Sequence, residues 1–227
     1  MSITLGNHDF AATLVSTTEQ HEETGGRDAR VITLTGLLRD LPGLPALEAA
    51  LDAVLAAASE GQVVPLRLRP GRVLRVRRTG YSREVQRDAG IARFVLKLEA
   101  EDPFEYALDP ESIAWALDAP DAARDFDVAG NVAAWPRIDL VAAATLLRPG
   151  FSDGLNALRY DGSLPAGQTL QFDGDARRLL LDGEDVTPYS LGRFPALAPG
   201  TGALAFLQDG AEALPGTATV SWHARWW

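Results

Sequence analysis

Three histidines, His8, His21 and His223, are the imidazoles of this chain. A zinc site would set them at ligand spacing with one another or with carboxylates. None stands in an HxH or HExxH pattern. They read as surface polar residues, His223 on the polar face of a strand, and a zinc site assembled from distant residues stays open. Serine hydrolases usually show GxSxG, and nucleotide-binding loops show GxGxxG or a GK[ST] ending; neither occurs. Asp173-Gly174-Asp175 begins like a calcium loop. The fifth and sixth positions of such a loop need an oxygen ligand and a glycine, and here they are Arg177 and Arg178, so a turn between strands explains the same residues. Glu99, Glu101 and Asp102 form one tight carboxylate group and Glu184-Asp185 another. A glycosidase pairs two carboxyl groups across its substrate, but both groups end apparent strands, where solvated carboxylates are routine. Cysteine is absent, which removes disulfides, thiolate ligands and a cysteine nucleophile. The chain therefore reads as a non-enzyme, with no catalytic, cofactor-binding or metal-ligating residue assigned.

The residues that stand out are cationic. Arg67, Arg69, Arg72, Arg75, Arg77 and Arg78 follow one another with no acidic residue among them. They could face an acidic surface of a neighbouring subunit, nucleic acid passing nearby, or solvent. No aromatic residue interleaves them, so stacking on single strands is not indicated. Of these, Arg67, Arg69, Arg72, Arg75 and Arg77 are the candidate subunit-interface residues. The whole chain carries a net charge of −10 from 31 acidic and 21 basic residues. That balance argues against a general nucleic-acid binder, which needs many cationic phosphate contacts. Lys97 is the single lysine; the arginine bias suits interfaces, because the guanidinium fork pairs with carboxylates, and a GC-rich genome gives the same bias.

The elements that position these arginines are strands. Pro65 to Arg78 alternates Leu66, Leu68, Leu74 and Val76 with arginines about a Pro70-Gly71 turn, which predicts a hairpin with an apolar inner face. Phe94, Leu96, Leu98 and Ala100 alternate with Arg93, Val95, Lys97 and Glu99 in the same way. Arg30 to Gly36 reads as another strand, preceded by a turn at Gly25-Gly26; Glu19 to Glu23 reads as an exposed loop tip. One helix is expected: Leu44, Leu47, Leu51, Val54, Leu55 and Ala58 make a single apolar stripe, Pro45 suits the first turn, and Gly61 is the stop.

The second half is dense in turns, at Pro149-Gly150, Asp161-Gly162, Asp173-Gly174, Asp182-Gly183, Pro199-Gly200 and Pro215-Gly216. Strands are expected between them, at 113–117, 137–141, 155–160, 169–172, 178–181, 203–207 and 217–226. Regular short strands with such turns indicate a sandwich or barrel. In the last strand Ala218, Val220, Trp222, Ala224 and Trp226 face one way. Turn-rich sequence after Glu101-Asp102-Pro103 places a domain boundary near residue 108, between domains 1–107 and 108–227. The fold class is mostly β, a β-sandwich or barrel-like first domain with one α-helix followed by a β-sandwich. No segment nears the ~18 apolar residues of a membrane helix, and the first residues lack a secretory signal.

Several segments carry a resemblance in order. Ala129-Gly130-Asn131 leads to Ala134-Trp135-Pro136 and a strand. Leu164-Pro165-Ala166-Gly167-Gln168-Thr169-Leu170 is followed by Phe172-Asp173. LLLDGEDV runs from Leu179 to Val186, Phe194 to Gly200 reads FPALAPG, and Val220 to Trp227 reads VSWHARWW. In the first half, Gly26-Arg27 with ITLTG (Ile32 to Gly36), the single helix and Glu101-Asp102-Pro103-Phe104-Glu105-Tyr106 add to them. Together they resemble the distal tail protein of long-tailed, non-contractile (siphovirus-type) bacteriophages.

The resemblance implies a virion structural subunit at the tail tip, assembled in the host cytoplasm. It implies a hexameric homo-oligomeric ring between the tail tube protein and the tail hub protein of the baseplate. The N-terminal belt domains would close the ring and the C-terminal galectin-like sandwiches would project from it. No membrane partner and no sequence-specific nucleic-acid binding are implied, though the ring leaves room for DNA to pass. The chain has no room for an inserted carbohydrate-binding module. Two rival readings remain at this stage. A stand-alone carbohydrate-binding β-sandwich would need an exposed platform from Trp115, Trp135, Trp222, Trp226 or Trp227. A hydrolase would need Glu101 or Asp102 to act.

Overall fold

The computed structural model describes residues 3–11, 13–24, 27–117, 122–210 and 216–227. Among the described residues the chain is mostly β, with one α-helix, and it divides into two compact units, Met1–Leu108 and Asp109–Trp227.

The first unit is built from β1 (Thr4–Leu5), β2 (His8–Asp9), β3 (Leu14–Thr24), β4 (Arg27–Leu38), α1 (Leu44–Ala56), β5 (Val63–Arg67), β6 (Arg72–Gln86), β7 (Ile91–Ala100) and β8 (Glu105–Ala107). They form one antiparallel sheet in the order β2-β1-β5-β6-β7-β4-β3, with β8 added to the start of β6. Alternation decides which side is dry. Ile32 and Leu34 of β4, Leu74 and Val76 of β6, and Phe94, Leu96 and Leu98 of β7 are buried with Leu47, Leu51 and Val54 of α1. The helix thus covers one face of the sheet, as its leucine stripe requires. Gly36 on β4 has no Cβ because the Phe94 ring occupies that space. Three ion pairs run between α1 and its following turn and the β6 hairpin: Asp52–Arg83 at 3.4 Å, Glu48–Arg87 at 3.7 Å and Glu60–Arg78 at 3.8 Å. The Tyr81 hydroxyl donates to the Leu51 carbonyl at 3.4 Å.

The second unit is a two-sheet sandwich. Its strands are β9 (Glu111–Leu117), β10 (Ala123–Val128), β11 (Arg137–Ala142), β12 (Leu146–Ser152), β13 (Ala157–Tyr160), β14 (Ser163–Leu164), β15 (Thr169–Asp173), β16 (Arg178–Leu181), β17 (Glu184–Asp185), β18 (Ser190–Gly192), β19 (Gly200–Asp209), β20 (Gly216–Trp222) and β21 (Arg225–Trp226). One sheet runs β10-β19-β12-β13-β18 with β14 on β12; the other runs β17-β16-β15-β11-β20-β9. Aromatic rings join the sheets across the core. Phe151 of β12 meets Phe172 of β15 edge to face at 5.2 Å, and Phe126 of β10 meets Trp222 of β20 at 5.6 Å. Offset and edge-to-face rings at this spacing add to their burial.

Several expectations from the sequence are corrected here. Glu19 to Glu23 is not a loop tip. It lies inside β3, paired from Leu14↔Leu37 to Thr24↔Arg27. An edge strand has only one neighbour to satisfy, so a polar run can remain extended. Pro149-Gly150 is not a turn but part of β12, where a register shift between Leu147 and Gly150 marks a bulge. Proline is tolerated at such a bulge because no ladder N–H is needed there. A Cβ on Gly150 would run into the Leu158 carbonyl oxygen, which explains the glycine by close strand approach instead of turning. Strand 155–160 starts only at Ala157, because Asp153 folds the preceding residues into a turn. The closing strand breaks after Trp222, and buried Arg225 interrupts the alternation, so Trp226 is half-buried and not one of the inward row. The turns expected at Gly25-Gly26 and at Pro215 lie outside the described residues.

Candidate assembly surface

Strand alternation places Arg67 on β5 and Arg75 and Arg77 on β6 opposite the buried Leu66, Leu74 and Val76. Their side chains are therefore on the face away from α1, and all are exposed. Arg77 stands across from Glu99 of β7, and the Arg75 guanidinium lies 5.5 Å from the Tyr106 ring centroid. Gly71, at φ 70°, lets the chain reverse between β5 and β6.

Arg69 and Arg72 flank that turn and point elsewhere. Both reach the carboxylate of Glu105 on β8, Arg69 by a short hydrogen bond and Arg72 at 3.6 Å. Glu105 is 3 % exposed and is met from the other side by Arg30 of β4, 2 % exposed, at 3.0 Å. Arg30 also donates to Glu19 of β3 through Nε at 3.2 Å and to the Pro103 carbonyl at 3.1 Å. Arg69 extends the network to Glu19 at 3.4 Å. A buried carboxylate in an apolar surround would be costly alone; three guanidiniums supply the charge and donors that make it tolerable. The segment leading in is fixed by Asp102, which accepts from the Phe104 N–H at 3.1 Å and the Tyr106 hydroxyl at 2.5 Å.

The five candidate arginines thus divide. Arg67, Arg75 and Arg77 share one exposed face, whereas Arg69 and Arg72 are tied to a carboxylate of their own chain. Arg30 and Glu105 are central to the arrangement and were not singled out by sequence reasoning. Glu105 lay within the EDPFEY string, and no local pattern marks its distant arginine partners.

The other chemical candidates fall in ordinary surroundings. His8 packs edge to face on Phe10 at 4.6 Å, and burial lowers its pKa against the opposing pull of Asp9. His21 and His223 are exposed. Among the described residues no three His, Asp or Glu side chains are placed to hold a metal ion, and no helix is long and apolar enough to cross a membrane. Trp115 and Trp222 are core residues. The Trp135 ring carries the Arg177 guanidinium at 3.6 Å, so that face is already occupied.

The first unit is thus an open sheet covered by one helix, and the second a sandwich bridged by aromatic rings. The chain superimposes on the crystal structure of the Dit protein (gp 19.1) of phage SPP1 with a TM-score of 0.69, over 98 % of this chain and 98 % of that one. This chain has the SPP1 Dit fold. Sequence identity to Dit is 15 %, so the likeness is one of fold. The Dit protein is described as a paradigm of the hub adsorption apparatus in phages that infect Gram-positive bacteria. No protein-family model matches the chain, and no curated protein matches it by sequence.

Proposed function

We propose that this chain is a structural subunit of a bacteriophage tail tip, forming a ring, hexameric by the resemblance, that joins the tail tube to the hub. The observation that carries the reading is the full-length match in both units to Dit. The first unit (domain 1–107 by sequence) closes the ring, and the second (108–227) is the galectin-like sandwich that projects from it. Arg67, Arg75 and Arg77 form the basic contact with an acidic face of a neighbouring tail subunit, giving electrostatic register. Arg69 and Arg72 hold the β5–β6 turn in place beneath that contact through Glu105.

Negative-stain electron microscopy of the purified protein tests the ring. Closed annular particles are expected, and a field of separate small particles contradicts the reading. On virions that carry the chain, an antibody against it is expected to label the far end of the tail; label along the shaft contradicts the placement.

A further inference from the structure

In the second unit, the sheet β10-β19-β12-β13-β18 turns one face into the core and one outward. Alternation gives the outward rows. Leu158 and Phe206 are buried, so Arg159 and Leu207 point out, and pairing continues their row as Leu207–Gly150–Arg159–Leu191. In the next row Leu147 stands opposite Asp209 on one side and Ser163 on the other. Three large apolar side chains are open to solvent at this end of the face. Leu147 is 52 % exposed, Leu191 45 %, and Tyr189, just before β18, 62 %. The Tyr189 carbonyl accepts from the Asp161 N–H at 2.7 Å, which fixes the two side by side.

Four charges lie among them, and each is paired within the patch. Arg148 reaches Asp161 at 3.1 Å and Asp209 at 3.2 Å, and Arg159 reaches Asp209 at 2.9 Å. Arg159 also donates to the Arg148 carbonyl at 3.3 Å, and the Arg148 N–H donates to the Gly162 carbonyl at 2.8 Å. Two guanidiniums and two carboxylates leave the knot neutral. Its backbone is strained: Arg148 sits in the β12 bulge at φ 45°. Non-glycine residues held at such angles cluster at functional sites, and bulges serve to re-aim side chains. Solvated ion pairs contribute little to the stability of a chain by itself, so the strain has a weak return in the free protein. A partner that covers the knot changes this. It excludes water without leaving a charge unpaired, and an unpaired buried charge is what makes charged surface costly to cover. Tyrosine and arginine are favoured at interface centres, and the two leucines add apolar area to bury.

Charge names the occupant. Residues 109–227 hold 8 arginines and 16 carboxylates, a net of −8, to which the knot contributes nothing. The patch is therefore a neutral, apolar island on an acidic unit. Its complement has an apolar centre surrounded by cations. A second copy brings the same acidic surround and is repelled.

We infer that Leu147, Tyr189 and Leu191, set around the Arg148–Asp209 knot, dock a second tail protein, one whose apolar contact residues are ringed by lysine or arginine. The inference rests on the tail-tip reading for its choice of partner. It is separate from the Arg67, Arg75 and Arg77 face of the first unit, whose partner is acidic.

Photocrosslinking in virions that carry the chain tests it. Tyr189 is replaced by p-benzoylphenylalanine, and Ser112, exposed on β9 of the other sheet, is replaced likewise as the control. Irradiation is expected to join position 189 to a second virion protein of net positive charge, identified by mass spectrometry, and position 112 to none. Adding Leu191→Asp is expected to lower the yield at 189 by about tenfold, with the tryptophan-detected melting of the purified chain unchanged. Leu147→Ser, across the knot, gives the same reading where Leu191→Asp lowers the melting. A product holding only copies of this chain, a partner of net negative charge, no product, or a yield indifferent to both substitutions overturns the docking surface and leaves the tail-tip reading standing. Virions assembled without the chain overturn both.

Discussion

Replacing Glu105 with glutamine removes one charge from the buried network and keeps its shape. In the native protein Glu105 accepts from Arg30 and Arg69 and lies 3.6 Å from Arg72. Arg30, at 2 % exposure, is then left with Glu19 as its acidic partner in this network. Breaking a buried ion pair by removing one partner costs roughly 3–5 kcal/mol. Arg69 and Arg72 are partly exposed and regain water, so the lower end, about 3 kcal/mol, applies here. With a urea slope of about 2 kcal/mol per molar, the midpoint moves down by about 1.5 M. The assay can separate the two units, because all five tryptophans, Trp115, Trp135, Trp222, Trp226 and Trp227, lie in the second. Tryptophan emission therefore follows that unit, while far-ultraviolet circular dichroism follows both. The expected result is an early circular-dichroism transition with the fluorescence transition unmoved. Replacing both partners, Arg30→Met with Glu105→Leu, should recover most of the loss, since neither leaves a buried charge behind. A midpoint shift below about 0.5 M for Glu105→Gln, or no recovery in the double variant, refutes the reasoning.

Other outcomes are open to the same tools. Phe151→Ala empties the centre of the sandwich between Phe172 and Phe206 and should cost about 3–5 kcal/mol, seen as an early fluorescence transition. Asp153 accepts backbone N–H groups from Leu155, Asn156 and Ala196. Burial alone would raise its carboxyl pKa, but these hydrogen bonds together hold it below the usual range. A lowered folded pKa gives stability that is complete above about pH 4, the unfolded value, and is lost as pH falls through the folded one. Asp153→Ala should thus cost about 1–2 kcal/mol at neutral pH and flatten the acid limb of the fluorescence-detected stability; an unchanged acid limb contradicts it. Charge reversal of Arg75 and Arg77 to Glu should weaken assembly with acidic tail partners and leave the melting of the isolated chain in place; undiminished assembly sinks the arginine contact.

Local chemistry made part of this fold legible. Asp182 and Gly183 both adopt positive φ, 48° and 89°, between β16 and β17, as a two-residue hairpin turn demands. Leu47, Leu51 and Val54 lie under α1 as their spacing indicates, and the Arg75–Arg77 alternation gave the correct faces of β6. What escaped was set by distant contacts. Pro149-Gly150 carries a turn signature, yet β13 and β19 capture it into a strand on either side. Glu19 to Glu23 looks solvated until β4 pairs with it. The Arg69–Glu105 bond spans 36 residues, and no periodicity links its ends. The exposed half of the arginine surface was therefore readable from alternation, and the half fastened to Glu105 was not.

Light scattering after size-exclusion chromatography, run across concentration and salt, tests the ring most directly. The account predicts a species of about 146 kDa, six copies of the 24.3 kDa chain in a closed head-to-tail assembly. A constant mass of 24.3 kDa at every concentration and salt contradicts it.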